Sequence, residues 1–158
     1  MLCLLSALSW STATLAEETP LQLWDERYLT LRAGAAAQML LHASVREGYA
    51  VVARPDKRGK LSALMLKLQA PAQLKIGRIG YPSPDPEPAR LDGGATATPV
   101  YRGTIVITLA VSAPAAVDPG PHEIKGTLTY QACDARHCLP AATIPVELIV
   151  TIRKPPEK

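Results

Sequence analysis

Large apolar residues recur with a period of two near the C-terminus, at Ile144, Val146, Leu148, Val150 and Ile152. That spacing places all five side chains on one face of a β-strand packed against a core. Thr104 to Val111 repeats the signal with β-branched residues, and Ile124 with Thr127 to Tyr130 adds another run of β-formers. Upstream, Leu23 to Leu31 reads as the first strand and Ala37 to Val45 as the next. The alanine and leucine content of the second run also permits a helix, and strand is the reading taken. Tyr49 to Ala53 follows, closed by the charged turn 54–60. From Leu61 to Leu68 apolar residues fall on both parities: Leu61, Ala63 and Met65 face one way, Leu64, Leu66 and Leu68 the other. This predicts a strand buried on both sides.

Turn formers separate these runs. Prolines at 82, 84, 86 and 88 remove alternate amide donors, and Asp92-Gly93-Gly94 follows, so Tyr81 to Pro99 is expected to be an irregular surface loop that either connects strands or covers neighbouring chemistry. Pro114 to Pro121 is a second turn. About eight short strands at regular spacing predict an all-β fold, an antiparallel β-sandwich.

A length of 158 residues fits one domain, and 47% hydrophobic with 20% charged residues is enough to bury a core. Aromatic residues are only 4%, so that core must be built from Leu, Val, Ile and Ala. A net charge of +3 is too small and too scattered to argue for nucleic acid or an anionic membrane. Met1 to Ala16 is apolar and ends in Thr14-Leu15-Ala16 before the acidic Glu17-Glu18, which reads as a secretory signal peptide over residues 1–16. No Lys or Arg precedes its apolar core, and a buried N-terminal helix is the competing reading. Cleavage after Ala16 would remove Cys3 and leave a domain over 17–153, a polar tail over 154–158, and an even pair of cysteines in an oxidising compartment.

That pair is Cys133 and Cys138. Four residues, Asp134 to His137, separate them, a common hairpin loop length, so the two cysteines are expected opposite one another with Cα atoms about 4.5–5.5 Å apart. Three chemistries compete. A structural disulfide in so short a ring would contribute only about 2 kcal/mol. A metal site would draw on Cys133, Cys138 and His137 or His122, but no second ligand pair follows. A reversible redox pair fits the charges, with Arg136 and His137 beside Cys138 and Asp134 beside Cys133, which makes Cys138 the candidate nucleophile. His137 reads equally as a solvated loop residue or as a group that tunes a thiolate. His42 falls in a strand pattern and is expected to be half-exposed. There is no phosphate-binding glycine loop, HExxH or nucleophile elbow.

Tyr130-Gln131-Ala132-Cys133, a short spacer and Cys138-Leu139-Pro140 resemble the disulfide motif of the DsbD N-terminal domain family, the periplasmic part of a thiol:disulfide interchange protein. Glu47-Gly48-Tyr49-Ala50-Val51-Val52-Ala53 resembles the family's Gly-aromatic strand, and Leu64 to Pro71 with Ile79-Gly80-Tyr81-Pro82 resembles the segments after it. Together these matches span about Leu40 to Ile152 in the family's order. The resemblance implies an immunoglobulin-like antiparallel β-sandwich in the periplasm. It implies electron transfer between a membrane or thioredoxin-like reductant and periplasmic disulfide proteins, with Cys138 forming the mixed disulfide and Cys133 resolving it. On that reading the protein is the reductase component of a protein-disulfide oxidoreductase system and needs no cofactor beyond its own cystine. Its partners are thioredoxin-like or membrane-embedded thiol-disulfide proteins; no nucleic acid is involved, the protein does not insert stably in a membrane after signal cleavage, and it is a monomer. No transmembrane or thioredoxin-like stretch follows Ile152, so the electron donor is expected to be another polypeptide.

Two departures stand out. The spacer is one residue shorter than in the best-known member. The family shields its disulfide with a phenylalanine on a cap loop, whereas this chain has no phenylalanine; Tyr101 or Val100, where the cap should end, are the candidate substitutes. A reading from another class also stays open at this point: a non-enzymatic immunoglobulin-like binding or assembly module with a structural disulfide.

Overall fold

The structure is a computed structural model and describes residues 19–24, 27–54, 59–91, 93, 94 and 96–154. The expected signal over 1–16 and nearly all of the tail lie outside them. Two four-stranded sheets carry the core. The first runs in the order β1 (Leu21–Trp24), β3 (Ala36–Val45), β10 (Thr104–Ser112) and β6 (Lys75–Gly80). The second runs β2 (Tyr28–Arg32), β13 (Ala142–Arg153), β11 (Gly120–Tyr130) and β5 (Met65–Gln69).

Alternation decides what the two sheets share. Met39, Leu41, Ala43 and Val45 of β3 and Ile105, Ile107, Leu109 and Val111 of β10 turn inward, where they join Leu128 and Ile124 of β11 and Val146, Leu148, Val150 and Ile152 of β13 in one apolar cluster. Burying two apolar faces against each other in this way is the defining economy of a β-sandwich. The fold is an all-β, immunoglobulin-like sandwich, and no helix occurs among the described residues. Gly126 is required at its place on β11, because a Cβ there would collide with the carbonyl oxygen of Lys67 on β5.

The structure corrects three expectations about single elements. Leu23 to Leu31 is not one strand: the chain pairs with β3 through Trp24 and with β13 from Tyr28, the latter in parallel. Inward positions keep the same parity through Leu21, Leu23, Leu29 and Leu31, and periodicity reports which side chains face the core, not which sheet supplies the hydrogen bonds. Leu61 to Leu68 is strand only from Met65, and it is not buried on both sides, since Met65 is 48% exposed while Leu66 is buried. β5 is an edge strand with only one face on the core. The stretch 81–99 is largely irregular, as its prolines require, but it contains a small antiparallel pair, β7 (Ala89–Arg90) with β8 (Ala97–Thr98).

A third sheet lies at one end of the sandwich, in the order β12 (Ala132–Cys133), β4 (Ala50–Val52) and β9 (Val100–Tyr101). It carries the cysteines.

Candidate functional site

The cysteine arm does not simply prolong β11. Continuing the β11–β13 register beyond Tyr130–Ala142 would set Cys133 opposite Leu139. Instead Cys133 is bridged to Cys138, one residue out of register, and Ala132 and Cys133 pair with Val51 and Ala50 of β4. The change happens at Gln131. Its carbonyl accepts a hydrogen bond from Val52 N–H at 3.0 Å, which turns the chain from the large sheet to the small one. Its side chain makes two further bonds, accepting from Ser62 N–H at 2.7 Å and donating to the Leu139 carbonyl at 3.0 Å. The following Pro140 has no N–H with which the ladder could continue.

Cys133 and Cys138 form a disulfide with an S–S distance of 2.03 Å and a Cα–Cα distance of 3.9 Å. The Cα separation is shorter than the sequence predicted, because the pair sits just where the arms converge into the four-residue loop and occupies the close, non-hydrogen-bonded type of position. The two sulfurs have unequal surroundings. Cys133 is 1% exposed, and Cys138 is half-buried. Around Cys133 lies a second small core of Ala50, Val52, Leu91 and Val100, with Leu61, Ala89 and Cys138 at its margin.

Of the two cap candidates, the structure brings Val100 to the cystine and not Tyr101. Consecutive residues on a strand point to opposite faces, so Val100 enters the disulfide cluster while Tyr101 joins the main core. Burial pushes the Tyr101 hydroxyl above its ordinary pKa, opposed by the charge of Arg54 and aided by Tyr81. Sequence reasoning missed Leu91 and Ala89, which come from the segment just before Asp92-Gly93-Gly94 and cover the cystine cluster from the proline-rich side. The signal available was a lone apolar Leu91 in a polar, proline-rich stretch. This segment is fastened at its base: Tyr101 Oη donates to the Pro82 carbonyl at 3.0 Å, Asp85 N–H donates to the Val100 carbonyl at 2.9 Å, and Arg102 Nη1 reaches Asp85 Oδ2 at 3.2 Å and the Glu87 carbonyl at 3.0 Å.

Asp134 closes the loop between the two cysteines. Its Oδ1 accepts the N–H groups of both Arg136 and His137 at 2.7 Å, an Asx-type closure of the loop. These two amides, His137 first, hold its carboxyl below the ordinary carboxylate range. Arg136 and His137 are exposed on the loop. His42 is half-buried against Trp24, and His122 bonds the Asp118 carbonyl at 2.8 Å; both lie on the sandwich body. Among the described residues no group of three or more His, Cys, Asp or Glu could hold a metal ion.

A groove of about 570 Å³ borders the cystine arms, lined by Tyr49, Tyr130, Ala132, Leu139, Pro140 and Ala142 among others. A larger cleft of about 810 Å³ opens between β5 and β6 and contains neither cysteine. Neither concavity is lined by a cysteine.

A sandwich that presents one half-exposed cystine at a strand end, roofed by a tethered loop, defines the class of thiol-disulfide exchange domains. Residues 19–149 match the family described as "Thiol:disulfide interchange protein DsbD, N-terminal", and the chain belongs to that family. Among solved structures it is similar to the N-terminal periplasmic domain of ScsB from Proteus mirabilis, with a TM-score of 0.57 and 16% identity over 85% of this chain and 48% of that one. This chain thus spans about half the length of that protein structure. The Neisseria meningitidis DsbD N-terminal domain in its reduced form aligns over 73% of this chain and 79% of its own, with a TM-score of 0.45 and 19% identity. No curated protein sequence matches.

Proposed function

We propose that this protein is a periplasmic thiol-disulfide electron carrier that moves electrons through Cys133 and Cys138, between a membrane or thioredoxin-like reductant and periplasmic disulfide proteins. The observation that carries the reading is the asymmetry of the cystine. Cys133 is 1% exposed in a cluster with Leu91 and Val100, while Cys138 at its margin is only partly buried. A ring with a sequence separation of only 5 makes a weak staple, so shielding one end of it serves chemistry better than stability.

In the reductive half-reaction a partner thiolate attacks Cys138 Sγ and the Cys133 thiolate leaves; a second partner thiol then releases Cys138, so one cystine gains two electrons and the partner dithiol becomes a disulfide. The reverse sequence passes the electrons on. Membership of the DsbD N-terminal family, together with the secretory signal read from residues 1–16, supports the periplasmic assignment. Among the described residues no helix is long and apolar enough to cross a membrane.

The test uses the two single variants. Cys133→Ser, which leaves Cys138 alone, should trap a mixed disulfide with a thioredoxin-like partner in a periplasmic extract. Cys138→Ser should trap little. Equal trapping would remove the assigned order of attack. No trapping by either, together with a reduction potential below about −300 mV, would leave a binding module with a structural disulfide.

A further inference from the structure

The hydrogen bonds on either side of the cystine run from Asp134 N–H to the His137 carbonyl and from Leu139 N–H to the Ala132 carbonyl, both at 2.9 Å. Cys133 and Cys138 are therefore a non-hydrogen-bonded pair, in which each residue turns its own N–H and C=O away from the other. For Cys133, away means toward β4, where it lies opposite Ala50. For Cys138 it means toward no strand: among the described residues, neither its N–H nor its C=O has a hydrogen-bond partner. Cys138 is thus the outer rim of the small sheet, with a half-buried side chain.

That rim is one residue long. Outward-facing donors recur at every second residue, and both neighbours of Cys138 in that series are disabled. The Arg136 N–H is taken by the Asp134 carboxylate, and Pro140 has none. Proteins blunt exposed sheet edges in this way against unwanted pairing. Here the blunting spares the residue that bears the accessible sulfur.

We propose that the backbone of Cys138 is a recognition element: an extended stretch of partner backbone beside the partner's reactive cysteine pairs with the Cys138 N–H and C=O as a single β-bridge. The proposal rests on the exchange reading above and deepens it. An added strand would lie about 4.8 Å beyond Cys138 in the hydrogen-bonding direction, which is also the direction in which the disulfide spans its two arms. A thiolate delivered there approaches Cys138 Sγ along the extension of the S–S bond. The new bond forms between the partner sulfur and Cys138 Sγ; the electron pair of the old bond leaves on Cys133 Sγ as a thiolate, so the charge of the attacking thiolate is conserved. The partner's second thiol then attacks the partner sulfur of the mixed disulfide and releases Cys138 as a thiolate. Partners that offer free extended backbone beside the thiol are selected over bare small thiols and over cysteines inside helices, whose amides are already used.

The test measures opening of the cystine in the wild-type protein by excess acetyl-Thr-Val-Cys-Thr-amide, by the same peptide methylated at every backbone nitrogen, and by 2-mercaptoethanol. Alkylation and mass spectrometry follow the mixed disulfide, and amide exchange is read at Cys138. The unmethylated peptide should open the cystine about tenfold faster than its methylated form, the scale expected for one or two net hydrogen bonds, and should protect the Cys138 amide in the mixed disulfide. Equal rates with an unprotected amide would overturn the bridge while leaving exchange intact. If none of the three thiols opens the cystine, the exchange reading falls and the bridge with it.

Discussion

Gln131 donates from its side-chain amide to the Leu139 carbonyl across 3.0 Å, and so ties the start of one cysteine arm to the end of the other. The same amide group accepts from Ser62 N–H, which anchors both arms to the segment leading into β5. Gln131→Ala removes both bonds and leaves a half-buried N–H and C=O without partners. It should cost about 1–3 kcal/mol in urea unfolding. Because the bonds hold the arm ends together, reduction by dithiothreitol should also accelerate; an unchanged midpoint and an unchanged rate would show that Gln131 is a bystander.

Leu91 is 6% exposed and packs in the cluster that contains Cys133. Leu91→Ala opens a cavity over the buried sulfur, at a cost of about 2–5 kcal/mol. Reduction of the cystine under native conditions should be faster than in the wild type. Met39→Ala, which empties space in the main core, should lose comparable stability without that acceleration, since Met39 belongs to the other cluster. Equal acceleration in both variants would mean that general loosening, and not the roof, controls access.

The Asp134 carboxyl titrates below its ordinary value because the amides of His137 and Arg136 stabilise its charged form. A carboxyl depressed in the folded state contributes stability above its unfolded pKa and loses it as pH falls through the folded one. The loop closure should therefore persist through the ordinary carboxylate range and open only at lower pH, visible as shifts of the Arg136 and His137 amide resonances. Asp134→Asn keeps an acceptor oxygen and should abolish the pH dependence, while Asp134→Ala should show the open-loop shifts at all pH values. Wild-type amide shifts that stay constant down to pH 2 would contradict the assignment.

Replacing both Cys133 and Cys138 by Ala should leave a folded sandwich with a loss of about 2 kcal/mol in denaturant unfolding. The main core draws on neither sulfur. Loss of cooperative unfolding in the double variant would favour the disulfide as a staple.

The alternation in Ile144 to Ile152 and in Thr104 to Val111 was enough to define the all-β class, because a strand with one face on a core must repeat its apolar residues every second position. The four-residue spacing of Cys133 and Cys138 was enough to make them partners across a hairpin, because turn geometry is local. What local pattern cannot carry is the choice of hydrogen-bonding partner. Residues 21–24 and 28–32 keep one parity while they pair with different sheets, and the cysteine arm leaves β13 for β4 at Gln131 with no glycine or proline to mark the change. Nor can pattern show what closes over a site from a distance in sequence. Leu91 comes to the Cys133 cluster from more than 40 residues away, held there by bonds from Val100, Tyr101 and Arg102 to the loop that carries it. Sequence determined which residues could be sandwich and which could be redox pair; only the packing of the third sheet against the proline-rich loop decided that one sulfur is sealed and the other offered, because burial is a property of what the fold brings together.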